Sequence, residues 1–271
     1  MPPQRTIWLT GMPRSGTNWV SQILASSPEV RLKLCPLFSY EFKDALDETA
    51  STGDWQRFFR KVYETSGEYL DQVYLRKEGL VPEFAEREAE PPVLAIKSTR
   101  YHHLTEPLLE RDPEIRFIAL VRHPAGAIHS WLDNPHEFPA GADPMEQWRS
   151  GTVRKTARSE YWGFDDWLQV TQMHLRLAEA WPDRFLLLRY ETFVAEAEAT
   201  ARRMFDFAGL GWHGQSESFL RRSQESRVDH SRSVYKPPST ASRWRQSLDP
   251  QIAAAILKEI KGTPIQSFLE D

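Results

Sequence analysis

Four short stretches of this chain are almost continuously apolar: Arg5–Thr10 (RTIWLT), Val93–Lys97 (VLAIK), Ile115–Val121 (IRFIALV) and Phe185–Tyr190 (FLLLRY). Runs without polar alternation mark strands covered on both faces, as in a parallel sheet. Between them the period lengthens to that of a helix. Asp54–Tyr74 spaces Trp55, Phe58, Phe59, Val62, Tyr69, Leu70 and Val73 along one helical face. Phe164–Trp181 and Thr192–Leu210 are also helical by pattern, the second stopping at Gly209 or Gly211, and Gln251–Lys261 reads as the last helix. Strands alternating with helices predict a right-handed, doubly wound α/β fold that binds ligands at the carboxyl ends of its strands. Glu83–Pro92 (EFAEREAEPP) and Asn134–Pro144 (NPHEFPAGADP) read as loops, the second long enough for a lid or substrate loop. Neither is a domain boundary and no repeat occurs, so the expectation is one domain spanning 1–271.

Composition removes several classes. With 40% hydrophobic, 27% charged and 12% aromatic residues among 271, the chain is neither disordered nor fibrous. The single cysteine, Cys35, allows no internal disulfide, multi-cysteine metal site or CxxC centre. No apolar run approaches the roughly 18 residues of a membrane span. The opening MPPQRTIWLTGMPRSG has no signal-peptide pattern, so the expected setting is reducing and cytoplasmic. A net charge of -4 argues against general nucleic-acid affinity. The charge is uneven, however. Residues 219–245 carry seven basic side chains (Arg221, Arg222, Arg227, Arg232, Lys236, Arg243, Arg245) against Glu225 and Asp229, which suggests a local anionic ligand.

Thr6–Val20 (TIWLTGMPRSGTNWV) joins a strand to a helix through Gly11 and Gly16, which have the spacing of the two glycines in a nucleotide phosphate loop. Such a loop can aim successive amides, and the positive end of the following helix, at one phosphate. Where an ATP-binding loop continues Gly-Lys-Ser/Thr, this chain reads Gly16-Thr17-Asn18. The lysine is missing, the Mg²⁺-binding hydroxyl position is asparagine, and a cation stands inside the loop at Arg14.

The stretch PRSGTNW resembles the 5′-phosphosulfate loop of the sulfotransferases that use 3′-phosphoadenosine 5′-phosphosulfate (PAPS), departing from Pro-Lys/Arg-Ser-Gly-Thr-Thr-Trp at Asn18. In Ile115–Leu132, Arg122 at a strand end and Ser130 eight residues later are similar to that family's 3′-phosphate motif. An arginine fork and a hydroxyl are sound phosphate ligands. Arg189–Phe193 (RYETF) resembles a third family segment, which implies Tyr190 near the adenine, with Trp19 as the tryptophan that packs on the base. SRWR at Ser242–Arg245 is similar to a C-terminal stretch of bacterial and carbohydrate-type members, implying that Arg243 and Arg245 stand beside the 3′-phosphate. These matches run from about Thr6 to Arg245; residues 35–92 and 134–180 carry no motif.

The resemblance implies a P-loop-like fold, PAPS as donor, no metal, and sulfonyl transfer to an acceptor. Ser15, Gly16, Thr17 and Asn18 would hold the 5′-phosphate, and Arg14 and Lys97 would face the transferring group. Lys97 matches the lysine of the family's Val-Lys-Thr-His strand motif, but the histidine two residues on is replaced by Thr99. Glu41 is then the leading candidate for the base, followed by His102 and His103. The polar-aromatic character favours a carbohydrate hydroxyl as acceptor. Two competitors remain: a P-loop kinase or NTPase, distinguished by Mg²⁺-dependent ATP binding, and a non-catalytic nucleotide-binding protein of the same fold, distinguished by absence of turnover.

Overall fold

The computed structural model describes residues 3–270; residues 1–2 and 271 of the expected domain lie outside the described residues. Five strands, β1 (Arg5–Thr10), β2 (Val30–Leu34), β3 (Val93–Ser98), β4 (Arg116–Val121) and β5 (Phe185–Arg189), form one sheet in the order β2-β3-β1-β4-β5. Every pairing is parallel. Helix α1 (Thr17–Ala25) links β1 to β2, α2 (Thr52–Glu64) and α3 (Val73–Lys77) lead to β3, and α4 (Thr105–Arg111) leads to β4. Between β4 and β5 run α5 (Pro124–Leu132), α6 (Pro144–Ser150) and α7 (Gly163–Ala180). After β5 come α8 (Tyr190–Ala195), α9 (Ala197–Ala208), α10 (Gly214–Glu225), α11 (Trp244–Ser247), α12 (Pro250–Ile260) and α13 (Pro264–Glu270).

Successive strand residues point to opposite faces of a sheet. Ile7 and Leu9 of β1 therefore join a core with Val20 and Ile23 of α1 and Phe205 of α9. Trp8 points the other way and packs with Trp55 and Phe58 of α2, Leu108 of α4 and Leu177 of α7. Both faces are covered, which is why the central strands read as unbroken apolar runs.

Four strands lie where the apolar runs predict them, within one residue at each end. β2 is absent from the apolar runs, because Arg31 and Lys33 interrupt it. It reads Val-Arg-Leu-Lys-Leu, and Lys33 is 2% exposed with its Nζ donating to Asp71 Oδ1 at 2.7 Å and to Thr65 O at 2.5 Å. The helix expected over Asp54–Tyr74 stops at Glu64. Beyond it, Asp71 accepts from the amide of Gly67 at 2.9 Å and Leu70 O accepts from Leu34 N at 2.8 Å, so the chain serves the end of β2 instead. Thr192–Leu210 divides into α8 and α9 at Glu196, and Gly209 closes α9 in a left-handed turn (φ 65°). The helix at Gln251–Lys261 is not the last: Gly262 (φ 74°) turns the chain into α13.

No helix among the described residues is long and apolar enough to cross a membrane.

Candidate functional site

A cleft of about 550 Å³ opens at the carboxyl ends of β1, β3 and β4, where the strand order places β1 between strands that the chain visits on opposite sides. The loop after β1 forms its floor. A Cβ on Gly11 would stand 2.5 Å from Leu120 O of β4, and one on Gly16 (φ 94°) would stand 2.5 Å from Tyr190 Cε2. Arg14 also adopts a left-handed conformation (φ 68°), which presents its side chain to the cleft. Gly16 leads directly into α1, and no side chain caps that helix. The first-turn amides thus lack the partner that an N-cap usually supplies. Ser15 is fully buried and its Oγ has no hydrogen-bond partner.

Among the described residues, seven Lys or Arg side chains line this cleft: Arg14, Lys97, Arg100, Arg122, Arg154, Lys236 and Arg243. Three carboxylates accompany them, Asp133, Glu137 and Asp229. Arg14 donates from Nε to Ser130 Oγ and from Nη2 to Ser231 O, each at 3.2 Å, and its Nη1 lies 3.5 Å from Glu137 Oε2. Burial holds the Arg14 guanidinium below its usual range. Arg122 donates to Arg14 O, while its buried Nε has no partner and its guanidinium stands 4.9 Å from the centre of the Tyr190 ring. Burial pushes the Lys97 ammonium down to about 8. Lys236 is also pushed down to about 8, by burial and then by the nearby Arg14 and Arg122. Placing this many cations together is unfavourable without anions between them.

Trp19 and Tyr190 stand edge-to-face at 6.5 Å on one wall, and Trp19 Nε1 donates to Ser223 Oγ at 2.8 Å. Val194 and Gln224 complete that end. The lining also includes Thr99, Trp162 and two further arginines. Arg100 is paired with buried Glu160 and sits 3.8 Å over the Phe38 ring. Arg154 has a buried Nε with no partner and lies 5.8 Å from the Trp162 ring.

The cleft therefore gathers Arg14, Gly16, Thr17, Asn18, Trp19, Lys97, Arg122, Ser130, Tyr190 and Arg243 from distant parts of the sequence, with Ser15 beneath the loop. It does not gather the three base candidates. Glu41 is exposed, with its carboxylate against Gly67. Tyr101 takes a left-handed conformation (φ 61°) and donates to Leu37 O, which turns the chain away from the cleft. His102 and His103 consequently lie in a second hollow beside Tyr161 and α7. There His102 Nδ1 is 3.2 Å from Thr10 Oγ1, and burial pushes the His102 ring well below the usual histidine range. Arg245 is exposed and lies over Trp244, which stacks on His123, so it also stands outside the cleft. Lys236, Arg100, Arg154 and Glu137 are lining residues that the motif reading did not single out for the site. Lys236 had a signal in the basic run and Glu137 in the loop at Asn134–Pro144. No group of three or more His, Cys, Asp or Glu among the described residues is gathered so that it could hold a metal ion.

The profile of the Sulfotransferase family matches residues 6–214. Mouse (Mus musculus) carbohydrate sulfotransferase 3 is 25% identical over 175 residues, covering 60% of this chain and 36% of that protein. The chain thus spans little more than a third of the length of that curated relative. Among solved structures, mouse sulfotransferase SULT7A1 complexed with PAP aligns with a TM-score of 0.56 at 14% identity, over 98% of this chain and 88% of that one. The sulfotransferase domain from the curacin biosynthetic pathway aligns with a TM-score of 0.52 at 18% identity, over 96% and 98%. At such identities the likeness is one of fold.

Proposed function

The chain belongs to the sulfotransferase family, and from that premise we propose that it moves a sulfonyl group from PAPS to a carbohydrate hydroxyl. The observation that carries this reading is the cleft itself: a glycine loop without the ATP-site lysine, facing a concentration of cations at the ends of three parallel strands. The residues present suit the donor. Its volume lies within the usual range of ligand sites, roughly 300–1,000 Å³, and the unpartnered Arg122 Nε and Ser15 Oγ are polar atoms that an anionic ligand can satisfy.

Ser15, Gly16, Thr17 and Asn18, with the leading amides of α1, hold the 5′-phosphate. Arg122 and Ser130 hold the 3′-phosphate, joined by Lys236 and Arg243 from the basic segment. Trp19 and Tyr190 form the wall for the adenine. Arg14 and Lys97 face the transfer site and stabilise charge as it shifts in the transition state. Bound there, PAPS supplies the sulfonyl group and adenosine 3′,5′-bisphosphate (PAP) remains. The acceptor enters on the side of Lys97, Thr99, Arg154 and Trp162, where an aromatic edge and hydrogen-bonding groups suit a sugar. The named activity of the mouse relative points the same way. The lone cysteine suits a reducing compartment, and we place the reaction in the cytoplasm.

The test is transfer of ³⁵S from labelled PAPS to a panel of oligosaccharides and phenols. Label on a carbohydrate hydroxyl is the expected result. Label on phenols alone would contradict the acceptor class, and label on nothing would contradict the activity.

A further inference from the structure

With Glu41, His102 and His103 outside the cleft, a base for the acceptor proton must come from another residue. The titratable side chains that line the cleft and can accept a proton include Asp133, Glu137, Asp229, His129, His136 and His230. Asp133, Asp229 and His136 are exposed, and His230 lies 6.0 Å from the His136 ring. His129 is held below its usual range by burial, which weakens it as a base.

Glu137 differs from all of these. Its side chain is 22% exposed, yet Oε2 is buried and has no hydrogen-bond partner. Arg14 Nη1 lies at 3.5 Å, within ion-pair distance but without a directed hydrogen bond. A buried carboxylate oxygen left in this state gains by accepting a bond from an O–H group. The same carboxylate is the foremost charge acting on Arg14, it favours the charged form of Lys97, and it lines the same cleft as both cations.

Its position is also fixed. The amides of Glu137 and Phe138 both donate to Asn134 O, at 3.0 and 2.8 Å. Phe138 packs edge-on against Trp131 at 5.3 Å, and Trp131 Nε1 points at Glu137 O at 3.4 Å. A side chain on an anchored turn keeps its geometry better than one on a loose lid.

We propose that Glu137 is the general base for the acceptor hydroxyl, and that its ion pair with Arg14 keeps it engaged until the donor arrives. This rests on the sulfonyl-transfer reading above. The donor's phosphosulfate competes with Glu137 for the Arg14 guanidinium. Once Arg14 moves to that stronger anion, Glu137 is left free beside the acceptor. The acceptor O–H bond then breaks and its proton passes to Glu137 Oε2. The acceptor oxygen forms the new O–S bond as the S–O bond to the phosphate breaks, and the electron pair of that bond leaves on the phosphate of PAP. No oxidant, reductant or metal is needed for this balance. Binding is thereby ordered, donor before acceptor.

The experiment compares wild type with Glu137→Gln and Glu137→Asp. Glu137→Gln keeps the shape but cannot take a proton. Its kcat should fall by about 10²-fold or more, the acid limb of its pH profile should vanish, and Glu137→Asp should recover part of both. Calorimetry provides a reading that needs no turnover. PAP should bind Glu137→Gln about two- to fivefold more tightly than wild type, because a partly exposed ion pair no longer competes for Arg14. Unchanged or weaker PAP binding would overturn the gate. A kcat within about fivefold of wild type would overturn the base. If wild type binds PAP but transfers nothing to any acceptor, the base assignment falls with the activity, while the gate is still decided by the PAP titration.

Discussion

Arg122 donates from Nη1 to the backbone carbonyl of Arg14 at 3.0 Å, so the end of β4 is clasped to the phosphate loop across 108 positions of sequence. The clasp aims the remaining Arg122 nitrogens into the cleft, where Nε is buried without a partner. One side chain therefore shapes the loop and keeps donors for a ligand.

Arg122→Ala should weaken PAP binding by about 10- to 100-fold, the range for hydrogen bonds to a charged partner. Adenosine 5′-phosphosulfate, which lacks the 3′-phosphate, should lose far less. Titration calorimetry with both nucleotides measures the difference. Equal losses would show that Arg122 acts on the loop alone.

Gly16→Ala should cost both stability and PAP affinity. The added Cβ meets the Tyr190 ring at 2.5 Å, and the φ of 94° is strained for any side chain. Gly141→Ala is the control, because Gly141 has a similar φ of 86° but nothing within 4 Å of the added atom. The control should lose about 1 kcal/mol of stability and keep its PAP affinity. Thermal melts and PAP titrations of both variants check this. Equal behaviour would remove Gly16 from the account of the site.

Much of this arrangement is legible in the sequence, for a physical reason. β1, β3, β4 and β5 are covered on both faces, so burial writes them as apolar runs. The loop is legible because Gly11 and Gly16 stand where a side chain would collide with Leu120 and Tyr190. β2 is hidden because Arg31 and Lys33 break its apolar run, and Lys33 is buried through partners far along the chain, Thr65 O and the Asp71 carboxylate, 32 and 38 positions away. Glu137 is hidden for a similar reason. Its chemistry depends on Arg14, 123 positions earlier, and no local spacing connects the two. His102 and His103 line a second hollow and not the cleft, because the chain turns at Tyr101, a single left-handed residue that no local pattern announces.

PAP binding near pH 8 should take up protons. Lys97 and Lys236 are both pushed down to about 8. A bound phosphate or sulfate favours their charged forms and raises both values. Affinity should therefore be fully present below about 8 and decline as pH rises through that value. Calorimetry in buffers of different ionisation enthalpy gives the proton count, which should drop in Lys236→Gln. Proton release, or no exchange, would contradict the assignment.

His174 should make the fold sensitive to acid. Burial pushes it down to about 3, and neither ring nitrogen has a partner. The unfolded chain takes up its proton near the ordinary value of about 6.5, so the unfolded state binds more protons between these limits. The contribution is complete above about 6.5 and is lost as pH falls toward 3. In His174→Leu, the loss of unfolding free energy between about pH 6 and 4 should be shallower by about 1.4 kcal/mol per pH unit. Urea unfolding across that range measures it. His102, His103, His123 and His129, also held low by burial, add to the slope that remains.

Metal-free transfer would distinguish this cleft, with its protein cations around PAPS, from a nucleoside-triphosphate site. Thr17 and Asn18 stand where a metal-dependent NTPase has its lysine and Mg²⁺-binding hydroxyl. The most direct measurement follows conversion of PAPS to PAP in excess EDTA, with and without a carbohydrate acceptor. Acceptor-dependent formation of PAP is expected, with one sulfated product for each PAP released and a rate unchanged by adding Mg²⁺. Loss of all turnover in EDTA with recovery on Mg²⁺, or hydrolysis of ATP in place of PAPS, would contradict it.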